Sequence, residues 1–471
     1  MPTRRSLRNP RNTGAALLIA SAFSITIARS ADTPPFPTSQ LDQQISATLA
    51  AYGAPSVSLA IVQNGALAYA KAFGYANLAE QRTAGTSTRY AVGSISKQFT
   101  VAAILLAQEQ GKLSLDDKVG KYLPQLTRAN EISIRQLLSH TSGYEDFAPQ
   151  DYIIPEWAKP TTPEAIMDHW AKIPLDFDPG TRWQYSNTNY TIAGKILEKA
   201  TGQDLMAFLQ QHILTPLDMK SAGDCDAKSP QDASAYTRFA MSPPRPVARE
   251  GAGWYFAAGE LCMTPSDLAQ WDIAFLEKRI LSANSYAEFT KEVKLSDGKS
   301  THYALGLSLN ELQGLPAFSH GGEVSGFLAM NTVVPSKNTG IIVLSNEDGV
   351  NMVPTVVREV GATLFAAGNA RTAEQDALVR RTLDELSQGK ITRSLFTQNA
   401  NDYFTSAALE DIRASLEPLG KLRLLSRTSE QLRGGMTHLS YRARFTHDTV
   451  ALNIYLMPDG KFEQFMIEET F

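Results

Sequence analysis

Two strand-forming stretches lie at opposite ends of a long helical tract, and any fold for this chain has to reunite them. From about residue 55 to 78, apolar and polar side chains alternate around Asn64-Gly65, a dipeptide that closes two-residue hairpins. Strand character returns only at 303–309 (YALGLSL), 326–334 (GFLAMNTVV) and 340–345 (GIIVLS), followed by a helix from Val353 to Ala366. Between the two, residues 112–290 read as helices separated by loops that carry Pro and Gly. The expectation is one sheet whose halves are far apart in sequence: an α/β domain with an all-α lobe beside it, spanning 38–367.

A break at Gly368-Asn369-Ala370-Arg371-Thr372 separates a further module, 373–471. Its pattern is α+β. A helix from Ala373 carries Leu378, Thr382 and Leu386 and ends at Gly389, and a second spans about 407–417. In the strands that follow, Thr437, Leu439, Tyr441, Ala443 and Phe445 face one way, and His438, Ser440, Arg442 and Arg444 the other. Val450, Leu452, Ile454 and Leu456 repeat the alternation before a turn at Pro458-Asp459-Gly460. Helices followed by a meandering sheet resemble the nuclear-transport-factor-like fold. Ligand binding, pairing with another chain, shaping a neighbouring cleft and a passive appendage all stay open as roles.

The first thirty residues read as an export signal. Arg4 to Arg11 form a basic region, Gly14 to Ala28 an apolar run, and Ala28-Arg29-Ser30 a small-residue cleavage site before Ala31. The run is too short for a comfortable membrane span, so a periplasmic or secreted location without stable membrane association is expected. The chain's net charge is −4, and the export segment holds five arginines and no acid, so the remainder is more acidic still. Such a body, without a basic stripe, is unsuited to nucleic acid. Its two cysteines, Cys225 and Cys262, would pair as a disulfide in an oxidising compartment; two buried thiols are the alternative.

Three constellations carry chemistry. Ser94-Ile95-Ser96-Lys97 opens the amphipathic helix of Phe99, Ala102, Ile104 and Leu105, which Gly111 ends. Residues three apart share a helical face, so the Lys97 amine can reach the Ser94 hydroxyl, a weak nucleophile unless a base takes its proton. Two more Ser-x-x-Lys strings, Ser296 to Lys299 and Ser387 to Lys390, place Gly before the Lys and read as surface turns. Tyr185-Ser186-Asn187 offers a phenol for proton transfer and an amide to orient lysine and substrate. Tyr75-Ala76-Asn77 has the same spacing but ends the early hairpin, where an aromatic is ordinary packing. His320-Gly321-Gly322 lies just before a predicted strand, and its glycines let backbone N–H groups approach a ligand, as an oxyanion hole requires. The seven histidines show no His-Glu-x-x-His, and no Gly-x-Ser-x-Gly occurs, so hydrolysis without metal or cofactor is expected.

Taken in order, Ser94-x-x-Lys97, Tyr185-x-Asn187 and His320-x-Gly322 resemble the three motifs of the serine beta-lactamase and penicillin-recognising family. The nearest branch is that of class C beta-lactamases, D-alanyl-D-alanine carboxypeptidases and related esterases. Leu137-Leu138-Ser139-His140-Thr141-Ser142-Gly143 and Ala257-Ala258-Gly259-Glu260-Leu261 are similar to segments of that branch, and the resemblance covers roughly 40–367. It implies an antiparallel sheet flanked by helices, and an acyl-enzyme formed at Ser94 and released by water. Lys97 and Tyr185 would share the proton traffic, with the acylation base left open between them. Asn187 would hold the substrate amide and the lysine, and the backbone N–H groups of Ser94 and Glu323 the oxyanion.

This chain departs from the usual Lys-Thr-Gly of the third motif. His320 replaces the lysine and Gly321 the threonine, which weakens recognition of a free carboxylate and hence of penicillins. A small-molecule or peptide-like ester or amide is the expected substrate, with oligomeric state open. The rival reading is a non-catalytic binding or regulatory protein of the same fold, against which stands the retention of Ser94, Lys97, Tyr185 and Asn187. His140 reads as structural, Tyr144 and Tyr152 as cleft-side loop residues, and Trp254 and Tyr255 as either cleft or core.

Overall fold

Helix α1 (Thr38–Tyr52) leads into β1 (Ser56–Gln63) and β2 (Ala66–Asn77). The turn between them places Asn64 at φ 54° and Gly65 at φ 77°, the left-handed pair that a tight hairpin demands. A two-residue strand, β3 (Arg82–Thr83), extends this edge. The helical tract supplies α2 (Ser96–Glu109), α3 (Asn187–Thr201) and α4 (Pro265–Leu276). Strands β4 (Ser308–Leu312), β5 (Leu315–Val324), β6 (Phe327–Val334) and β7 (Thr339–Ser345) then run into α5 (Met352–Phe365). The computed structural model describes residues 36–150, 153–365 and 370–469. The export segment and Tyr152 lie outside them. Among the described residues, no helix is long and apolar enough to cross a membrane.

The seven strands form one antiparallel sheet in the order β3-β2-β1-β7-β6-β5-β4. The seam β1–β7, with Val57 opposite Ser345 and Ile61 opposite Ile341, joins the two halves that the sequence keeps apart. Strand side chains alternate between faces. Ala60, Val62, Ile342 and Leu344 share a core with Ala269 and Trp271 of α4. Val57, Leu59, Ile61, Ile341 and Val343, equally buried, point to the other face, where α1 and α5 pack. Coverage on both faces explains why β1 and β7 are buried along nearly their whole length.

Two strand assignments need correction. Residues 303–307 are loop, and β4 begins only at Ser308. The segment Leu315–Val324, expected to precede a strand, is itself β5, so His320, Gly321 and Gly322 lie within the sheet. Pro316 and the two glycines disguise it, because they are depleted in strands.

In the C-terminal module, α6 (Ala370–Leu386), α7 (Gln398–Tyr403) and α8 (Ser406–Leu416) precede a four-stranded meander. Its strands are β8 (Leu424–Arg433), β9 (Met436–Arg444), β10 (Thr449–Leu456) and β11 (Phe462–Glu469), paired in sequence order. Val379, Leu383 and Leu386 pack on the alternating face of Leu439, Tyr441, Ala443, Leu452 and Ile454. Helix α7 and strand β8 were not anticipated; β8 is an edge strand with mostly polar side chains and carries little hydrophobic pattern. Glu359 of α5, only 7% exposed, links the module to the sheet domain. It accepts the Thr48 hydroxyl at 2.6 Å and faces the Arg444 guanidinium at 3.9 Å.

Cys225 and Cys262 are joined as a disulfide, with Cα atoms 4.9 Å apart. It ties Leu261–Met263 to Gly223–Asp224 within a small sheet that also includes Tyr90–Ala91, a few residues before Ser94.

Candidate active site

Ser94 lies in a 3-10 turn, Gly93–Ile95, immediately ahead of α2 rather than within it. This half-turn leaves Ser94 partly exposed at the cleft while Lys97, on the first turn of α2, is fully buried. Strand β5 closes against the turn so tightly that only glycines fit. A Cβ on Gly322 would lie 1.9 Å from the Val92 carbonyl oxygen, and one on Gly93, at φ 50°, would lie 2.8 Å from the Glu323 nitrogen. The backbones of Ser94 and Glu323 are thereby held side by side.

Lys97 Nζ lies 2.9 Å from Ser94 Oγ, 2.8 Å from Asn187 Oδ1 and 2.8 Å from the Ala258 carbonyl oxygen. Burial pushes this amine down to about 7, with nearby Asp146 pulling the other way. A neutral amine has two N–H groups and one lone pair. The carbonyl of Ala258 and the amide oxygen of Asn187 only accept, so they take both N–H groups. The lone pair is left facing the Ser94 hydroxyl, the geometry of a general base.

Asn187 opens α3 and is itself oriented from behind. Asp146 Oδ1 accepts its backbone N–H at 2.8 Å and its side-chain amide at 3.2 Å. Tyr185 also partners Ser94, and burial holds its phenol well above its ordinary range, so it acts as a protonated phenol. Its ring stacks on His140 at 4.3 Å, and the Ser186 N–H donates to His140 Nδ1. His140, fully buried, thus ties the loop that presents Tyr185, as the sequence suggested.

His320, on β5, completes the ring of motifs. Its Nδ1 lies 2.6 Å from the Gly321 carbonyl oxygen and its Nε2 2.8 Å from the Tyr303 hydroxyl. Burial, with Lys97 nearby, lowers it to about 4, so the ring is neutral near pH 7.

These groups line a cleft of about 870 Å³ that brings together Ser94, Tyr185, Asn187, His320, Gly321, Gly322 and Glu323. Cys225 and Cys262 do not line it. Tyr255 reaches the cleft, whereas Trp254 packs behind it in an aromatic cluster with Phe147 and Trp157, of which Trp157 lines the cleft. Tyr144 is no cleft residue: it is buried in the core, with its hydroxyl on the Thr127 carbonyl. Sequence reasoning missed Asp146, Glu250, Tyr303 and Asp348. All four sit in loops outside the three motifs, and no local spacing marks them.

Comparison with known proteins places this geometry. The sequence pattern of the Beta-lactamase family matches residues 41–362, and the chain belongs to that family. It is 26% identical over 420 residues to penicillin-binding protein 4* of Bacillus subtilis, covering 85% of this chain and 92% of that one. A D-aminopeptidase of Brucella anthropi is 26% identical over 308 residues, 63% of this chain and 57% of its own. The octameric penicillin-binding protein homologue from Pyrococcus abyssi superposes with a TM-score of 0.62 over 92% of this chain and all of that one, at 20% identity. A share that large extends into the C-terminal module. The family is one of serine hydrolase-type enzymes.

Proposed function

We propose that this protein is an exported serine hydrolase that forms an acyl-enzyme at Ser94 and hydrolyses an ester or a peptide-like amide. One observation carries the reading: the buried Lys97 Nζ lies 2.9 Å from the Ser94 hydroxyl, and burial brings its pKa down to about 7, so that a neutral amine is at hand to take the hydroxyl proton. Ser94 Oγ attacks the acyl carbon and its proton passes to Lys97 Nζ. The oxyanion sits between the backbone N–H groups of Ser94 and Glu323. Tyr185, too weak an acid to serve as a phenolate base, gives its proton to the leaving group and regains one from Lys97. Water then attacks the ester of Ser94 by the same route in reverse. Of the two candidate bases, this assigns acylation to Lys97.

With His320 neutral, no lysine or arginine lines the cleft among the described residues, while Asp146, Glu250, Glu323 and Asp348 do. That favours D-amino-acid peptides and amides or small esters over penicillins, and one of the relatives is a D-aminopeptidase. Membership of the class C-related branch and periplasmic or secreted location are part of this proposal and rest on the motifs and the export segment.

The test is intact mass and peptide mapping after incubation with a fluorophosphonate, a fluorescent penicillin and a p-nitrophenyl ester. A fluorophosphonate adduct on the Ser94 peptide, with ester turnover, is the expected result. No adduct with any of the three would put the non-catalytic binding protein ahead. The pH profile supplies a second check. Protonated Lys97 has no lone pair, so kcat/KM for the ester is expected to rise through about pH 7 to an alkaline plateau. A profile flat from pH 5 to 9 would remove Lys97 as the base.

A further inference from the structure

We propose that Tyr303 is a specificity-determining positioning residue, whose hydroxyl occupies Nε2 of His320 and so makes the third motif unable to grip a substrate carboxylate. The inference deepens the reading of the Ser94 cleft and rests on it. It begins with hydrogen-bond bookkeeping on one ring.

The Gly321 carbonyl oxygen, 2.6 Å from Nδ1, can only accept, so Nδ1 carries the ring's proton. A neutral imidazole then has Nε2 as a bare acceptor, and the Tyr303 hydroxyl, 2.8 Å away, donates to it. Both ring nitrogens are therefore spent inside the protein, and His320 has no N–H left for a ligand. Tyr303 is itself only 3% exposed, so its geometry is set by packing rather than by solvent. Its ring lies 5.1 Å from His140 and 5.7 Å from Trp183, which hold it in place.

Burial and Lys97 oppose a positive charge on His320 and outweigh the Gly321 carbonyl, which favours one. Lys97, whenever it is protonated, disfavours a second charge on the ring, the Tyr185 ring stands 6.2 Å away, and His140 is buried with its own pKa lowered. The acids at the cleft surface, Glu250, Glu323 and Asp348, repel a carboxylate from the same side. Where relatives of the usual pattern place a lysine, this chain places a ring whose second nitrogen is plugged by a phenol. The exclusion is thus an active feature of the wall, beyond the mere loss of a lysine.

Two measurements test it. In the wild-type protein, nitrogen-15 histidine NMR, with the His320 signal assigned by its loss in His320→Asn, is expected to show a protonated Nδ1 and a bare Nε2 down to pH 5. A protonated Nε2, or titration near pH 6.5, would overturn the proposal; this readout does not depend on Ser94 being a nucleophile. In Tyr303→Phe, the orphaned Nε2 is expected to take up a proton at higher pH. The ratio of acylation by benzylpenicillin to acylation by a neutral p-nitrophenyl ester is then expected to rise about tenfold at pH 6 and to return to the wild-type ratio by pH 8. A uniform fall with both substrates and no change of ratio would mark Tyr303 as packing alone. If neither substrate acylates the wild type, the Ser94 reading fails, and the NMR result decides the tautomer by itself.

Discussion

Ser94→Ala is expected to lower kcat/KM for a p-nitrophenyl ester by several orders of magnitude, on the order of 10⁶ where nucleophilic hydrolysis dominates. The fold is expected to survive, because Lys97 keeps its two acceptors, Asn187 Oδ1 and the Ala258 carbonyl, when the hydroxyl is gone. A midpoint of thermal unfolding within about 2 °C of wild type would show this. Residual turnover within tenfold of wild type, from a sample free of contaminating esterase, would dismiss Ser94 as the nucleophile. What remains in the variant reports on the oxyanion site and substrate binding alone, since those groups are untouched.

Lys97→Met is expected to cost about 10²–10⁴ in kcat, the usual worth of a positioned general base, with KM little changed. Methionine has similar length and no proton to lose, so the rise in rate through about pH 7 is expected to vanish together with the activity. Stability responds to two opposed effects. The Ala258 carbonyl and the Asn187 amide lose their donor, at about 1–3 kcal/mol for each buried group left unpaired. Against this, the variant no longer has to hold an amine away from water. The unfolded lysine is protonated over the whole working range, so the folded protein's depressed Lys97 opposes folding below its ordinary value and more so as pH falls towards 7. Wild type minus Lys97→Met stability is therefore expected to decrease from pH 10 to pH 7, as read by urea unfolding. An acid limb that persists in Lys97→Met would assign it to another group, with Asp146 the first to examine.

Much of this was legible in the sequence because local chemistry and global fold agree there. Asn64-Gly65 can only turn one way, and the three motifs occupy adjoining walls of one cleft. Phe99 to Leu105 form the helix that their spacing suggests. The failures have physical reasons too. Strand β5 contains Pro316, Gly321 and Gly322, all poor strand formers, and Gly322 is required by close approach to the Ser94 turn rather than by strand propensity. Tyr303 and Asp146 act through partners 17 and 41 residues away in sequence, His320 and Asn187, and no periodicity encodes such a meeting. Tyr144 was misplaced because a loop position suggests the surface, whereas its phenol serves to anchor the loop from within.

The seam between β1 and β7 sets the order in which the molecule can be made. Strand β1 waits for partners such as Ser345 and Ile341, which leave the ribosome long after Val57 and Ile61. Until then the early hairpin presents an open, apolar edge, the kind that invites pairing with another chain. High contact order also makes the final closure slow. Closure of the sheet domain is thus the last long-range step of folding, with the Ser94 turn and the β5 wall pressed together only at its end. The same delay fits the export proposed above, which calls for a chain still unfolded when it is threaded across a membrane.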